Sequence, residues 1–155
     1  MSFPNASLFP YTAQVSAQGN LVLGGCDVVQ LAAEFGTRVV PLQIPIGAES
    51  QFRGVVDLRH KQAYTWVNGE PAAGEIPADL KAEAETARER LVEAAAESDD
   101  ALTEKYLEEG TLSQEDLERG LRLGVRAGTL VPVLCAAGLR AVGIAPILDA
   151  IVTLL

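Results

Sequence analysis

The 155-residue sequence holds one histidine, one tryptophan and two cysteines, and it is poor in cations, with 12 Lys+Arg against 21 Asp+Glu. Each shortage excludes something. A formal charge of −9 argues against a nucleic-acid surface, because phosphate contacts need clustered Lys and Arg. No run of 18 apolar residues occurs, so no segment reads as a membrane-spanning helix. The start Met1-Ser2-Phe3-Pro4 has neither a basic flank nor a long apolar core, so no secretory signal is expected. Cys26 and Cys135 stand far apart with no C-x-x-C spacing, as expected of reduced thiols in a cytoplasm. With a single histidine as well, no metal site is expected. The acidic residues form no D-x-[DN]-x-[DN]-G loop that would hold calcium.

What is present is globular: 48% apolar residues and 21% charged. The length suits one domain, or one domain with a short appendage, and it can bury roughly two-thirds of its unfolded surface. The charge is uneven. Residues 75–119 carry 15 acidic and 5 basic groups, whereas the flanks are nearly neutral.

The first flank reads as β structure. Ala13–Ser16 and Asn20–Leu23 are short apolar stretches around Gln18-Gly19-Asn20, and Gly24-Gly25 ends the second. Asp27 is placed to cap a short helix, Val28–Glu34, stopping at Gly36. Arg38–Ile46 alternates around Pro41 and Pro45, which suits an edge strand. Gly54–Leu58 and Gln62–Val67 read as two strands joined by Arg59-His60-Lys61, with a turn at Asn68-Gly69. Tyr64 and Trp66 alternate on the second of these and read as core.

The acidic block reads as three helices. Pro77 fits a first-turn position, and Leu80, Ala84, Ala87, Leu91 and Ala95 make one apolar stripe, with Glu83, Glu85, Arg88, Glu89 and Glu93 off it. Ser98 or Asp99 caps a second helix bearing Leu102, Tyr106 and Leu107, closed by Gly110. Ser113 with Asp116 resembles a capping box and opens a third, with Leu117, Leu121 and Val125, closed by Gly128. Leu130–Cys135 follows as a continuous apolar run, as in a buried strand, and Gly143–Leu155 as an apolar helix. The expected fold is α+β: a small, mostly antiparallel sheet with three to four helices packed on one face.

Three segments carry a resemblance. VVPLQIPIGAESQFRGVVDLRHKQAYTW (Val39–Trp66), EIPADLKAEAETARERLVEAAAESDDALTEKYLEEG (Glu75–Gly110) and LVPVLCAAGLRAVGIAPILDAIVTLL (Leu130–Leu155) resemble, in order, parts of bacterial elongation factor G. The first is similar to the stretch where that family leaves its GTPase core and enters an inserted subdomain, the second to the helices of that insert, and the third to the return into the GTPase core and its last strand and helix. A shorter stretch, LFPYTAQVSAQGNLVLGGCDVVQLAAEFGT (Leu8–Thr37), resembles the N-terminus of diaminopimelate decarboxylase, a pyridoxal-phosphate enzyme. The chain therefore reads as a join near residues 36–39, with an artificial or selected chimera the favoured origin. The expected division is 1–37, decarboxylase-like strands and a short helix, and 38–155, the elongation-factor-like part. The first part is expected to cover apolar surface on Val131–Leu134 and the last helix; failing that, two copies of the chain are expected to pair.

The resemblance also shows what is missing. A phosphate-cradling loop needs G-x-x-x-x-G-K-[ST], and no Gly-Lys pair occurs. The D-x-x-G switch and the guanine-reading N-K-x-D are absent too. Only the fifth nucleotide element has a counterpart, at Ala136, Ala137, Gly138 and Leu139, where the family's Ser falls on Ala137. No residue matches the decarboxylase's cofactor lysine, so neither nucleotide nor pyridoxal phosphate is expected as a cofactor. What the elongation-factor resemblance implies instead is a partner, the ribosomal stalk protein L7/L12, met by the first acidic helix around Glu83, Arg88, Glu89 and Glu93. Three readings stay open: a non-catalytic contact module, a folded chimera without activity, and, more distant, an enzyme retaining GTP or pyridoxal phosphate. His60 reads as a solvated turn residue rather than a general base, since no Ser, Cys or Asp stands at a telling spacing.

Overall fold

The computed structural model describes residues 14–15, 21–23, 26–27, 39–47, 51–67 and 69–155. The chain separates into two compact units, Met1–Val39 and Val40–Leu155. In the first, β1 (Gln14–Val15), β2 (Leu21–Leu23) and β3 (Cys26–Asp27) form an antiparallel meander, with Val15 opposite Leu21 and Leu23 opposite Cys26. Asp27 closes β3, and the helix expected at Val28–Glu34 lies outside the described residues.

The second unit is built on a four-stranded antiparallel sheet in sequential order: β5 (Gln43–Ile46), β6 (Gly54–Asp57), β7 (Gln62–Val67) and β8 (Glu70–Gly74). Ile44 opposes Val56, Val56 opposes Ala63 and Tyr64 opposes Ala73. The single edge strand expected over Arg38–Ile46 is instead two strands. β4 (Val39–Pro41) pairs in parallel with β9 (Val131–Val133), and β5 joins the larger sheet. Leu42 marks the switch between them, donating its N–H to Val133 O at 2.9 Å while its carbonyl accepts from Leu58 N at 2.9 Å. The expected buried strand Leu130–Cys135 shrinks to β9, which is half-buried to exposed and, among the described residues, has β4 as its one strand neighbour.

Three helices follow the sheet: α1 (Lys81–Ala96), α2 (Asp100–Glu109) and α3 (Gln114–Ala127). Pro77 stands a turn ahead of α1 rather than within it, its carbonyl accepting from Leu80 N at 2.9 Å. Asp99 caps α2, taking the N–H groups of Ala101 and Leu102 at 3.1 and 3.3 Å, and Gly110 ends it at φ +70°. Ser113 Oγ caps α3 by accepting from Asp116 N at 3.1 Å, and Gly128 closes that helix in the same left-handed way. A fourth helix, α4 (Ile144–Leu154), ends the chain, with Arg122 and Arg126 of α3 donating to the carbonyls of Thr153 and Leu155.

The two-residue alternation of the sheet separates two cores. One face gives Ile44, Ile46, Val56 and Ala63 to the main core, against Ala84, Leu91 and Ala95 of α1 and Leu117 and Leu121 of α3. The other gives Val55, Tyr64 and Trp66 to a small cluster with Phe52, Val142 and Ala137. The α+β architecture with helices on one sheet face is as expected, and Tyr64 and Trp66, read as core, are half-buried against the small cluster. Among the described residues no helix is long and apolar enough to cross a membrane.

Candidate functional site

Two regions are candidates for function. The first is the loop from Leu134 to Gly143, which carries Ala136, Ala137, Gly138 and Leu139. It leaves β9 as Cys135 N donates to Gln43 Oε1 at 3.2 Å, and it folds back where Ala137 N donates to Val142 O at 2.9 Å. Between these points Gly138–Arg140 make one 3-10 turn, Arg140 N reaching Ala137 O at 3.0 Å. Gly143 sits at φ +78°, where a Cβ would come 2.4 Å from Cys135 O, so the loop's return into α4 requires glycine. Beside the loop is an open cavity of about 460 Å³ lined by Pro45, Phe52, Cys135, Ala137 and Arg140. Among the described residues neither a hydroxyl nor a carboxylate lines it. Burial pushes the Cys135 thiol above its ordinary pKa, so it stands as a protonated thiol at neutral pH.

The second region joins α1 to the β6–β7 turn. Asp57, buried at the end of β6, accepts from Arg59 N at 2.8 Å and lies 3.0 Å from His60 Nδ1, with Arg59 Nη2 at 3.3 Å. His60 thus has a carboxylate at i−3, a partner the spacing rules applied to the sequence passed over, while its Nε2 lies 3.6 Å from Glu118 of α3. Arg88 of α1 reaches the same turn and donates to the carbonyl oxygens of Leu58 and Arg59. Burial lowers its pKa, against which the Asp57 charge acts.

The structure therefore divides the four expected contact residues. Glu83, Glu89 and Glu93 are exposed on α1. Arg88 is half-buried on the opposite side, which corrects its placement off the apolar stripe. It lies four residues after Ala84 and three before Leu91, so a period of 3.6 puts it on their face. Sequence reading classed it by its charge, whereas its long stem carries the guanidinium along apolar surface to carbonyl acceptors. Between α1 and the sheet a groove of about 640 Å³ has Val56, Leu58, Ile76 and Ala84 as its apolar lining, with Lys61 and Glu89 among its charged lining residues. Among the described residues no group of three or more His, Cys, Asp and Glu is placed to hold a metal ion.

Both the sequence and the fold of the chain are similar to those of known proteins. The chain is 43% identical over 133 residues to elongation factor G 2 of Syntrophus aciditrophicus (strain SB), a match that covers 83% of this chain and 20% of that protein. A solved crystal structure from Thermus thermophilus superposes with a TM-score of 0.73 at 33% identity, over 83% of this chain and 19% of that one. Over that share the chain is elongation-factor-G-like, and it spans about a fifth of the length of either relative. The matched share exceeds what residues 38–155 alone supply. The match therefore runs into residues before 38, and neither relative supports the decarboxylase-like reading of residues 8–37 or a join near residues 36–39. No family model matches the chain.

Proposed function

We propose that this chain is a non-catalytic contact module of the elongation-factor-G type, working in the cytoplasm, and that the exposed face of α1 meets a ribosomal stalk protein. The observation that carries this reading is the division of α1 itself. Its buried face is spent on the sheet and on α3, and its exposed positions include Glu83, Glu89 and Glu93 within a segment of 15 acidic and 5 basic groups. Such a face suits a partner with clustered cations. The loop at Ala136–Leu139 supports the non-catalytic half of the reading, since Ala136, Ala137 and Gly138 offer a nucleotide only backbone groups.

The test is a ¹⁵N–¹H correlation spectrum of the chain, titrated first with a stalk C-terminal domain and then with Mg²⁺-GTP. Shifts along α1 with the stalk domain, removed by Glu89→Lys with Glu93→Lys, and none with nucleotide are expected. A silent α1 would sink the partner, and shifts around Ala137 with GTP would sink the non-catalytic assignment.

A second reading, a chimera of two fragments without activity, draws on the boundary between compact units at Val39 and Val40, two residues past the end of the decarboxylase-like stretch. It predicts a dispersed spectrum that neither ligand moves.

A further inference from the structure

Independently of that contact, α4 points to a partner of its own. Asp149 is the only charged residue between Ile144 and Leu154, and the helix is apolar on both sides. Ala150 and Leu154 are buried, yet Leu148, Ile151, Val152 and Leu155 are 57%, 48%, 82% and 69% exposed. Their spacing of i, i+3, i+4 and i+7 is one continuous stripe. A helix apolar all round is ordinarily buried on every side, and a stripe of this kind marks an interaction surface.

We propose that α4 packs against α4 of a second copy of this chain, antiparallel, about a two-fold axis near Ile151 and Val152. The argument for a second copy is charge complementarity. Arg122 donates Nε to Thr153 O at 2.9 Å and Arg126 donates to Leu155 O at 2.8 Å, so two guanidinium groups stand at the C-terminal end of α4. Thr153 follows Asp149 by four residues, which places both on one flank of the stripe. In an antiparallel pair the same flank of each helix meets its counterpart. With Ile151 opposite the partner's Val152, Asp149 comes level with the partner's Leu154, beside the partner's Arg122. A two-fold interface repeats each contact, so both ends of the stripe are closed by an opposite-charge pair. Arg122 has its two Nη groups left for this, for Thr153 O takes only Nε. The acidic helices α1 and α2 oppose most other arrangements, because their exposed faces carry like charge.

Sedimentation velocity of the full chain over the micromolar range tests this. A reversible monomer–dimer equilibrium is expected, with Val152→Glu raising the dimer dissociation constant by about tenfold or more. Asp149→Lys should weaken the dimer too, and circular dichroism should show both variants folded. Leu107→Glu, the same kind of change at an exposed position of α2, should leave the equilibrium unaltered. A chain monomeric at every concentration overturns the proposal, as does a dimer indifferent to Val152→Glu and Asp149→Lys.

Discussion

Arg88 of α1 donates to the backbone carbonyl of Leu58, thirty residues earlier in the chain, and to that of Arg59 beside it. Both acceptors belong to buried residues at the turn that leaves β6. A turn inside a core leaves carbonyls that the sheet ladder cannot reach, and buried acceptors without donors are costly. One guanidinium with five N–H groups meets two of them, and its charge lies near buried Asp57.

Arg88→Met keeps the stem and removes the donors, so it tests that role directly. A loss of about 2 kcal/mol in urea unfolding is expected, since two buried acceptors go unmet. Arg90→Met, on the exposed side of the same helix, should change stability by less than about 0.5 kcal/mol. Equal effects of the two substitutions would mean that the turn does not depend on the clamp.

Much of this architecture is legible in the residues, and what is not has particular causes. Capping chemistry is local, so Asp99, Gly110, Ser113 and Gly128 mark the ends of α2 and α3 with no tertiary knowledge. β8 shows no such signal. Glu70-Pro71-Ala72-Ala73-Gly74 is made of residues that strands disfavour, and it pairs because Gly69 at φ +87° turns the chain back along β7. As an exposed edge strand it tolerates Pro71. The division of Arg38–Ile46 into two sheets is equally hidden, since Leu42 bonds in two directions only once β9 arrives from ninety residues away. Of the candidate sites, the glutamates of α1 are where helical spacing puts them. Arg88 and the Asp57–His60 pair are not, because acceptors across the fold and a buried carboxylate at i−3 decide them.

Asp116 gives a pH dependence of definite sign. Its carboxylate accepts from Lys105 Nζ at 2.8 Å and from Ser113 Oγ at 2.9 Å, and these hydrogen bonds hold it below the usual Asp range. A depressed carboxylate contributes stability that is present at neutral pH and lost as pH falls through its folded-state value. Lys105 is raised, chiefly by its hydrogen bond to Asp116, so its share is present below the ordinary lysine range and lost as pH rises past it. Urea midpoints measured against pH should fall below about pH 4, less steeply in Asp116→Asn than in wild type. Lys105→Met should flatten the alkaline limb. An unchanged acid limb in Asp116→Asn would show that the exposed pair is screened to nothing.

Gly120 is a point of close approach between α3 and the end of α1. A Cβ there would stand 2.4 Å from Ala95 O and 3.0 Å from Leu102 Cδ1, so the backbones meet at a distance only glycine permits. In an isolated helix, alanine is favoured over glycine by about 1 kcal/mol, and helix propensity alone therefore predicts that Gly120→Ala stabilises the protein. The contact with Ala95 O reverses that sign, because the obstacle is backbone and cannot rotate away. To admit the methyl group, α3 must withdraw from α1, loosening Leu117 and Leu121 in the main core. A net loss of about 1–3 kcal/mol is expected, with the largest increase in amide exchange at the α1–α3 crossing and little change in β6 and β7. A stabilised Gly120→Ala protein would show instead that the two helices lie farther apart than this packing requires.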